Sequence, residues 1–244
     1  MPTAPLGAVF AFPARVRAGL QPPRHAAITL PMILGFDTSS AHVGAALLDS
    51  NGIVAAAHED MARGQAERLM PMLEEVLTQG GATWQDLTAI GVGIGPGNFT
   101  GVRLSVAAAR GLALSLNIPA VGVSLLEATA LDTPGPVLAC LSAPRDQAYV
   151  QSQGIAPSIP AQLIAMSEMP GTWADPGLTC VGPASAQVAE RLGTTALPAR
   201  HAPAEAIARI AALRWRDGPP RPAPLYLKPA DAAPSRDAPP VILE

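Results

Sequence analysis

Charge is scarce in this chain. Of its 244 residues, 14% are Asp, Glu, Lys or Arg and 49% are apolar, which excludes a solvated, disordered polymer and indicates a globular protein with ample length for a core. A basic excess is missing too. The formal charge of −3 gives no protein-wide field for gathering nucleic acid, which leaves that task to a local basic patch or a basic partner subunit. No apolar run approaches the length of a membrane span, so no membrane partner is expected. The only cysteines, Cys140 and Cys180, lie in separate apolar segments and make no metal-ligand pair; they read as buried thiols of a cytoplasmic protein. The histidines, His25, His42, His58 and His201, include no i, i+4 pair, so no metal site is expected, although His42 and His58 fall on adjacent predicted strands. There is no Gly-x-Ser-x-Gly elbow, and Cys140 sits inside an apolar strand where thiols are inert, which removes the serine and cysteine hydrolases.

What is present is concentrated in Gly95-Pro96-Gly97-Asn98-Phe99-Thr100-Gly101-Val102-Arg103. This stretch follows an apolar run at 87–94 that reads as a buried strand, and it opens an alanine-rich helix over about 100–116. Glycines and a proline at this density fix a tight strand-to-helix turn. Such a turn aims backbone N–H groups and a helix dipole at one point, where an anion can sit. Asp37 and Thr38, ending the first predicted strand, together with Gly95, Gly97, Asn98, Thr100 and Gly101 are therefore the candidate nucleotide or phosphate loop. The competing reading is a close-packed turn in which glycine lets strand and helix approach. The Lys-Ser/Thr ending of a P-loop and the Gly-x-Gly-x-x-Gly spacing are both absent.

Residues 1–31 carry arginines and prolines but no acid, and they show no sustained period. They are expected to be a disordered or misassigned extension, with Met32 as the functional start. Strands follow at 32–36, 43–48 and 53–58, the last two joined by an Asn-Gly turn. A helix at 65–79 stops at Gly80-Gly81 and carries an apolar stripe at Leu69, Met72, Leu73, Val76 and Leu77, with Pro71 inside the pattern as a kink or near-start signal. A strand at 119–123 leads to Ser124 and Glu127, spaced as a capping box. Strands at 137–141, 147–151 and 178–181 and helices from about 184 and over 204–215 complete the pattern, and the chain beyond 219 is proline-rich. Strands that meander and then alternate with helices argue for mixed α/β sheets covered by helices.

The residues Ile33-Leu34-Gly35-Phe36-Asp37-Thr38-Ser39, Glu67-Arg68-Leu69-Met70-Pro71-Met72, the loop at 95–103, Gly111-Leu112-Ala113, Gly122-Val123-Ser124-Leu125 and Pro224-Leu225-Tyr226-Leu227-Lys228 together resemble the bacterial TsaB family. The resemblance is dense over 32–130 and sparse afterwards. It implies the two-lobed α/β fold of actin, Hsp70 and sugar kinases (the ASKHA fold), with an N-terminal lobe at 32–123 and a smaller lobe at 124–228; the proline- and alanine-rich composition makes 229–244 an expected flexible tail. It also implies a non-catalytic scaffold role in making N6-threonylcarbamoyladenosine at position 37 of tRNA. The partners implied are a TsaD-type catalytic subunit and a TsaE-type ATPase, with tRNA met through the complex and a homodimer as a further assembly. ATP and a metal ion are expected in partner subunits, with no cofactor in this chain. The helices bearing Leu69, Met72, Leu73, Val76 and Leu77, and Ser105, Ala108, Ala109 and Leu112, are the implied partner interface. Gln65 stands where members commonly have histidine, and Ser142-Ala143-Pro144-Arg145 where they have Asp-Ala-Arg.

The alternative is an actin-fold small-molecule kinase or ATPase using Asp37 and the loop at 95–101. Such enzymes need a second acid-glycine phosphate loop opening the second lobe. The corresponding hairpin offers Ser142 and Pro144, with Asp146 displaced, so the charge that positions a metal is missing there.

Overall fold

The structure, a computed structural model, describes residues 31–227. Apart from Pro31, the expected N-terminal extension lies outside the described residues, as does the expected tail at 229–244. The chain first lays down β1 (Ile33–Asp37), β2 (His42–Asp49) and β3 (Gly52–Asp60) as an antiparallel meander. Helix α1 (Gln65–Gln79) leads to β4 (Ala89–Gly93), parallel to β1, and α2 (Phe99–Leu116) leads to β5 (Ala120–Val123), parallel to β4. The resulting order is β3-β2-β1-β4-β5. β1 and β4 are buried along their whole length and β3 keeps only Ala55 buried, in keeping with central and edge positions.

A second sheet repeats this plan. β6 (Val137–Ala143), β7 (Gln147–Gln153) and β8 (Gln162–Ala165) form an antiparallel meander; β9 (Thr179–Val181) runs parallel to β6 and β10 (Thr195–Leu197) parallel to β9. Its order, β10-β9-β6-β7-β8, is the first sheet's order read from the other edge. Helices α3 (Leu125–Ala130), α4 (Ser185–Leu192) and α5 (Pro203–Arg214) complete the set. These two related α/β lobes are the arrangement that the sequence resemblance implies.

The two-residue alternation of β1 assigns the helices to faces. Leu34 and Phe36 point to one side and share a core with Leu69, Met72, Leu73, Val76 and Leu77 of α1 and Ala109 of α2. Full burial of a large apolar side chain contributes about 1.5–3 kcal/mol, so this stripe does much to hold α1 on the sheet. Ile33 points to the other side, toward Ile207, Ile210 and Ala211 of α5. Gly35 shares that side: a Cβ there would stand 2.6 Å from the Ala204 carbonyl oxygen, so α5 rests almost directly on the strand backbone.

Pro71 lies inside α1, on the exposed side, where the carbonyl left without a partner can meet water. Two local expectations are corrected. Ser124 caps α3 by accepting from the Leu126 N–H at 3.3 Å, but Glu127 does not close a capping box; its carboxylate accepts from Arg214 on α5. Helix α5, placed by sequence in the second lobe, packs on β1, β4 and β2 of the first sheet. The chain then crosses both lobes once more. The Leu225 N–H donates to the Ile94 carbonyl at 2.7 Å, Pro222 packs near Gly122, and Leu227 joins the second-lobe cluster of Tyr149 and Val181.

Candidate functional site

Two loops meet at the carboxyl ends of β1 and β4. Asp37 is fully buried, and its Oδ2 accepts from the Ser39 N–H at 3.1 Å and the Ser39 hydroxyl at 2.8 Å, with His42 Nε2 3.0 Å away. The acid thus caps its own turn, the ordinary fate of an aspartate at a strand end. Gly93 packs against its other oxygen: a Cβ at Gly93 would lie 2.1 Å from Asp37 Oδ1. Gln65, the first residue of α1, donates its side-chain amide to the carbonyls of Ser40 and His42 at 2.6 and 2.8 Å, which ties that helix to the same turn.

The glycine loop is zipped onto this turn. The Asn98 N–H donates to the Ser39 carbonyl at 2.6 Å, and the Thr38 hydroxyl donates to the Gly101 carbonyl at 2.7 Å. A Cβ at Gly97 would stand 2.2 Å from the Ser39 carbonyl oxygen, and one at Gly101 would stand 1.9 Å from that of Thr38. The glycines are therefore required for close approach of two backbones. Asn98 is the N-cap of α2, its Oδ1 accepting from the N–H groups of Thr100 and Gly101 at 2.9 and 3.2 Å. Amide groups that would hold a phosphate are satisfied by the chain's own side chain. The seven residues of the candidate phosphate loop do come together, but they fill the space between them. Opposite, the β6–β7 hairpin carries Ser142, Pro144 and Arg145 and no carboxylate before Asp146. The residues present do not fit a magnesium-bound nucleotide.

The expected interface residues are also redistributed. Leu69, Met72, Leu73, Val76 and Leu77 are no more than 3% exposed, and Ser105 and Ala109 are fully buried, so all seven face their own sheet. A helix must bury one stripe to be held at all, and the sequence stripe marks that side. Ala108 and Leu112 are half-buried. The faces turned outward are Met70, Pro71, Glu74 and Thr78 on α1, and Arg103, Ala107, Gly111 and Leu114 on α2. Leu114 is 81% exposed.

His42 and His58 stand with ring centroids 4.9 Å apart, as their adjacent strands allow. Among the described residues no group of three or more His, Cys, Asp or Glu is placed to hold a metal ion. Cys140 and Cys180 are buried free thiols; hydrogen bonding between them pushes Cys140 up and holds Cys180 down.

The family model of TsaD, tRNA N6-adenosine threonylcarbamoyltransferase, matches residues 52–174. The chain belongs to this family. Within it, the chain is a TsaB-type protein. It is similar to the tRNA threonylcarbamoyladenosine biosynthesis protein TsaB of Escherichia coli, with 40% identity over 94 residues, covering 38% of this chain and 40% of that one. An uncharacterized Mycobacterium tuberculosis protein, Rv3421c, is 33% identical over 215 residues, covering 85% of this chain and 96% of its own length. Among solved structures, YeaZ from Pseudomonas aeruginosa matches with a TM-score of 0.67 at 26% identity, covering 81% of this chain and all of that one.

One cluster at the rim of the site was not read from the TsaB-like motifs. Arg103 on α2 donates from Nε to the Tyr226 hydroxyl at 2.7 Å, and its guanidinium lies 3.7 Å from the centroid of the Phe99 ring. The Phe99 and Tyr226 rings are 5.3 Å apart between centroids. Arg103 and Tyr226 both occur in matched motifs, but a contact between residues 123 positions apart leaves no periodicity to detect.

Proposed function

We propose that this chain is the non-catalytic supporting subunit of a complex that makes N6-threonylcarbamoyladenosine in tRNA, docked on a TsaD-type catalytic subunit. The observation that carries this reading is the mutual filling of the loops at 37–40 and 95–101. A fold that otherwise offers a nucleotide cleft here spends its glycines on backbone contact and its helix cap on its own amides. Family membership supplies the biochemical context, and the TsaB relatives carry the biosynthetic name. ATP and a metal ion then belong to the sites of the TsaD-type and TsaE-type partners, and the complex is cytoplasmic.

The outward face of α1 and that of α2 from Ala107 to Leu114 are the docking surface of this proposal. They belong to the two helices that cover one side of the first sheet, and they carry Met70, Pro71, Ala107, Gly111 and Leu114 beside charged groups such as Glu74. Small residues at 107 and 111 allow a partner helix to lie close. A second copy of this chain fits the same surface, so homodimer and heterodimer compete for it.

The test is co-purification of the full chain with the TsaD-type protein of the same organism, sized by light scattering. A stoichiometric mixed complex is expected. A chain that self-associates and ignores TsaD overturns the assignment. Steady ATP turnover by the purified chain with magnesium would instead favour the kinase reading.

A further inference from the structure

We propose that Phe99, Arg103 and Tyr226 form a docking surface for a single-stranded segment of RNA, with a base stacked on the exposed rings and a phosphate on the guanidinium. This rests on the reading of the chain as part of a tRNA-modifying complex and deepens it by naming where this subunit touches the nucleic acid. Phe99 is 53% exposed and Tyr226 47%, so neither ring is there to fill a core. Aromatic rings and arginine planes at a protein surface are the groups on which unpaired bases stack.

The cluster is also pre-set. Phe99 follows directly on the Asn98 cap of α2, and Tyr226 is held by the bond from the Leu225 N–H to the Ile94 carbonyl. Arg103 is braced by the Tyr226 hydroxyl through Nε, which leaves its terminal amino groups to meet a ligand. Side chains already fixed lose little freedom on binding.

Charge decides between RNA and a protein partner. Arg, Tyr and Phe are also the residues of protein hot spots, so composition alone is neutral. Arg103 makes no ion pair among the described residues. From Leu87 to Leu126 the sequence contains no acid but two arginines, Arg103 and Arg110, spaced seven apart on α2 and so on one side of the helix. Residues 218–230 likewise carry Arg221 and Lys228 and no acid. A chain of net charge −3 thus keeps acids out of both segments that build this cluster, which suits a polyanion.

The experiment measures fluorescence anisotropy of a labelled, unmodified tRNA transcript, titrated with the full chain alone and with its TsaD-type complex, at about 50 and about 200 mM salt. Light scattering on the same samples reads complex formation separately. Phe99→Ala and Tyr226→Ala are each expected to weaken RNA binding at least about fivefold with the complex intact. Arg103→Ala is expected to flatten the log–log salt dependence by about one. Phe99→Leu keeps the apolar bulk and removes the flat ring, so its loss of RNA affinity at unchanged melting temperature separates stacking from folding. Unchanged RNA affinity in all three alanine variants overturns the proposal. So does loss of the TsaD-type complex with RNA binding by the chain alone unaffected, which would make the cluster a protein contact. If the wild-type chain never joins TsaD, the function above fails, while titration of the chain alone still judges the RNA surface.

Discussion

The two lobes share a topology and differ in how much helix they carry. In the first, α1 and α2 run for 15 and 18 residues. In the second, the helix between β9 and β10 has 8 residues, and the connection from β8 to β9 holds only two single-turn 3-10 helices. Both sheets nonetheless reach closed cores, one around Leu34 and Ile90, the other around Leu138 and Cys180. A lobe of this plan therefore folds with short helices. The outward sides of the longer α1 and α2 carry exposed groups such as Leu114, which their own sheet does not bury.

The loops at the strand ends tell the same story. In both lobes a glycine presses on a carbonyl beyond or near the end of the central strand: Gly97 and Gly101 on Ser39 and Thr38, and Gly182 on Cys140, where a Cβ would stand 2.6 Å from the oxygen. Of the two helices that follow these loops, α2 alone has a side-chain cap. Asn98 serves α2, whereas Ala184 before α4 offers none. The shared device is close backbone packing, and a phosphate loop is not needed to explain it.

The sharpest way to break this comparison is to charge the two sides of α1. Met72→Glu places a carboxylate in a fully buried site and is expected to cost about 4 kcal/mol or more, enough to unfold a marginal protein, as read by urea denaturation. Met70→Glu, two residues away and 38% exposed, is expected to change stability by less than about 0.5 kcal/mol yet abolish co-purification with the TsaD-type subunit. A Met70 variant that retains the complex would show that the outward face is not the docking surface. Next in size, Gly101→Ala and Gly182→Ala should each cost about 3 kcal/mol by overpacking on a carbonyl. Tolerance of one and not the other would end the equivalence of the two loops.

Asn98→Ala removes two cap bonds and is expected to cost about 1 kcal/mol, visible as a lowered melting temperature. The smallest effect is electrostatic. Arg68 holds the carboxyls of Glu59 and Glu75 below the usual carboxylate range, chiefly by hydrogen bonding. Lowered carboxyl values stabilise the fold above the ordinary value of 4.5, and that contribution is lost as pH falls through the lowered values. Arg68→Gln should therefore flatten the acid limb of a stability–pH profile by lowering the neutral plateau while leaving the acid extreme nearly unchanged, and the effect is small because the network is partly exposed.

Local patterns carried much of the architecture. The helix at 65–79 and the strand–loop–helix at 87–116 were legible because apolar period and glycine stops act over a few residues. Strand β8 was missed because its four residues are only half-buried, and β10 because its three are exposed; both are strands by virtue of the neighbour they pair with. The direction of the α1 stripe was read from sequence, but its meaning was not. Periodicity identifies the side a helix buries and is silent on whether the cover is its own sheet or another protein.

By itself the sequence determined the order and type of the main elements, the family likeness carried by the glycine loop, and the absence of a hydrolase or metal-ligand pattern. These follow from short-range sterics, capping and hydrophobic period. Only the tertiary structure decided that α5 returns to the first sheet, that the loops at 37–40 and 95–101 fill each other, and that Phe99, Arg103 and Tyr226 share one surface. Each of those facts joins residues far apart in the chain, and chain-distant contacts are fixed by the packing of whole faces rather than by any local signal.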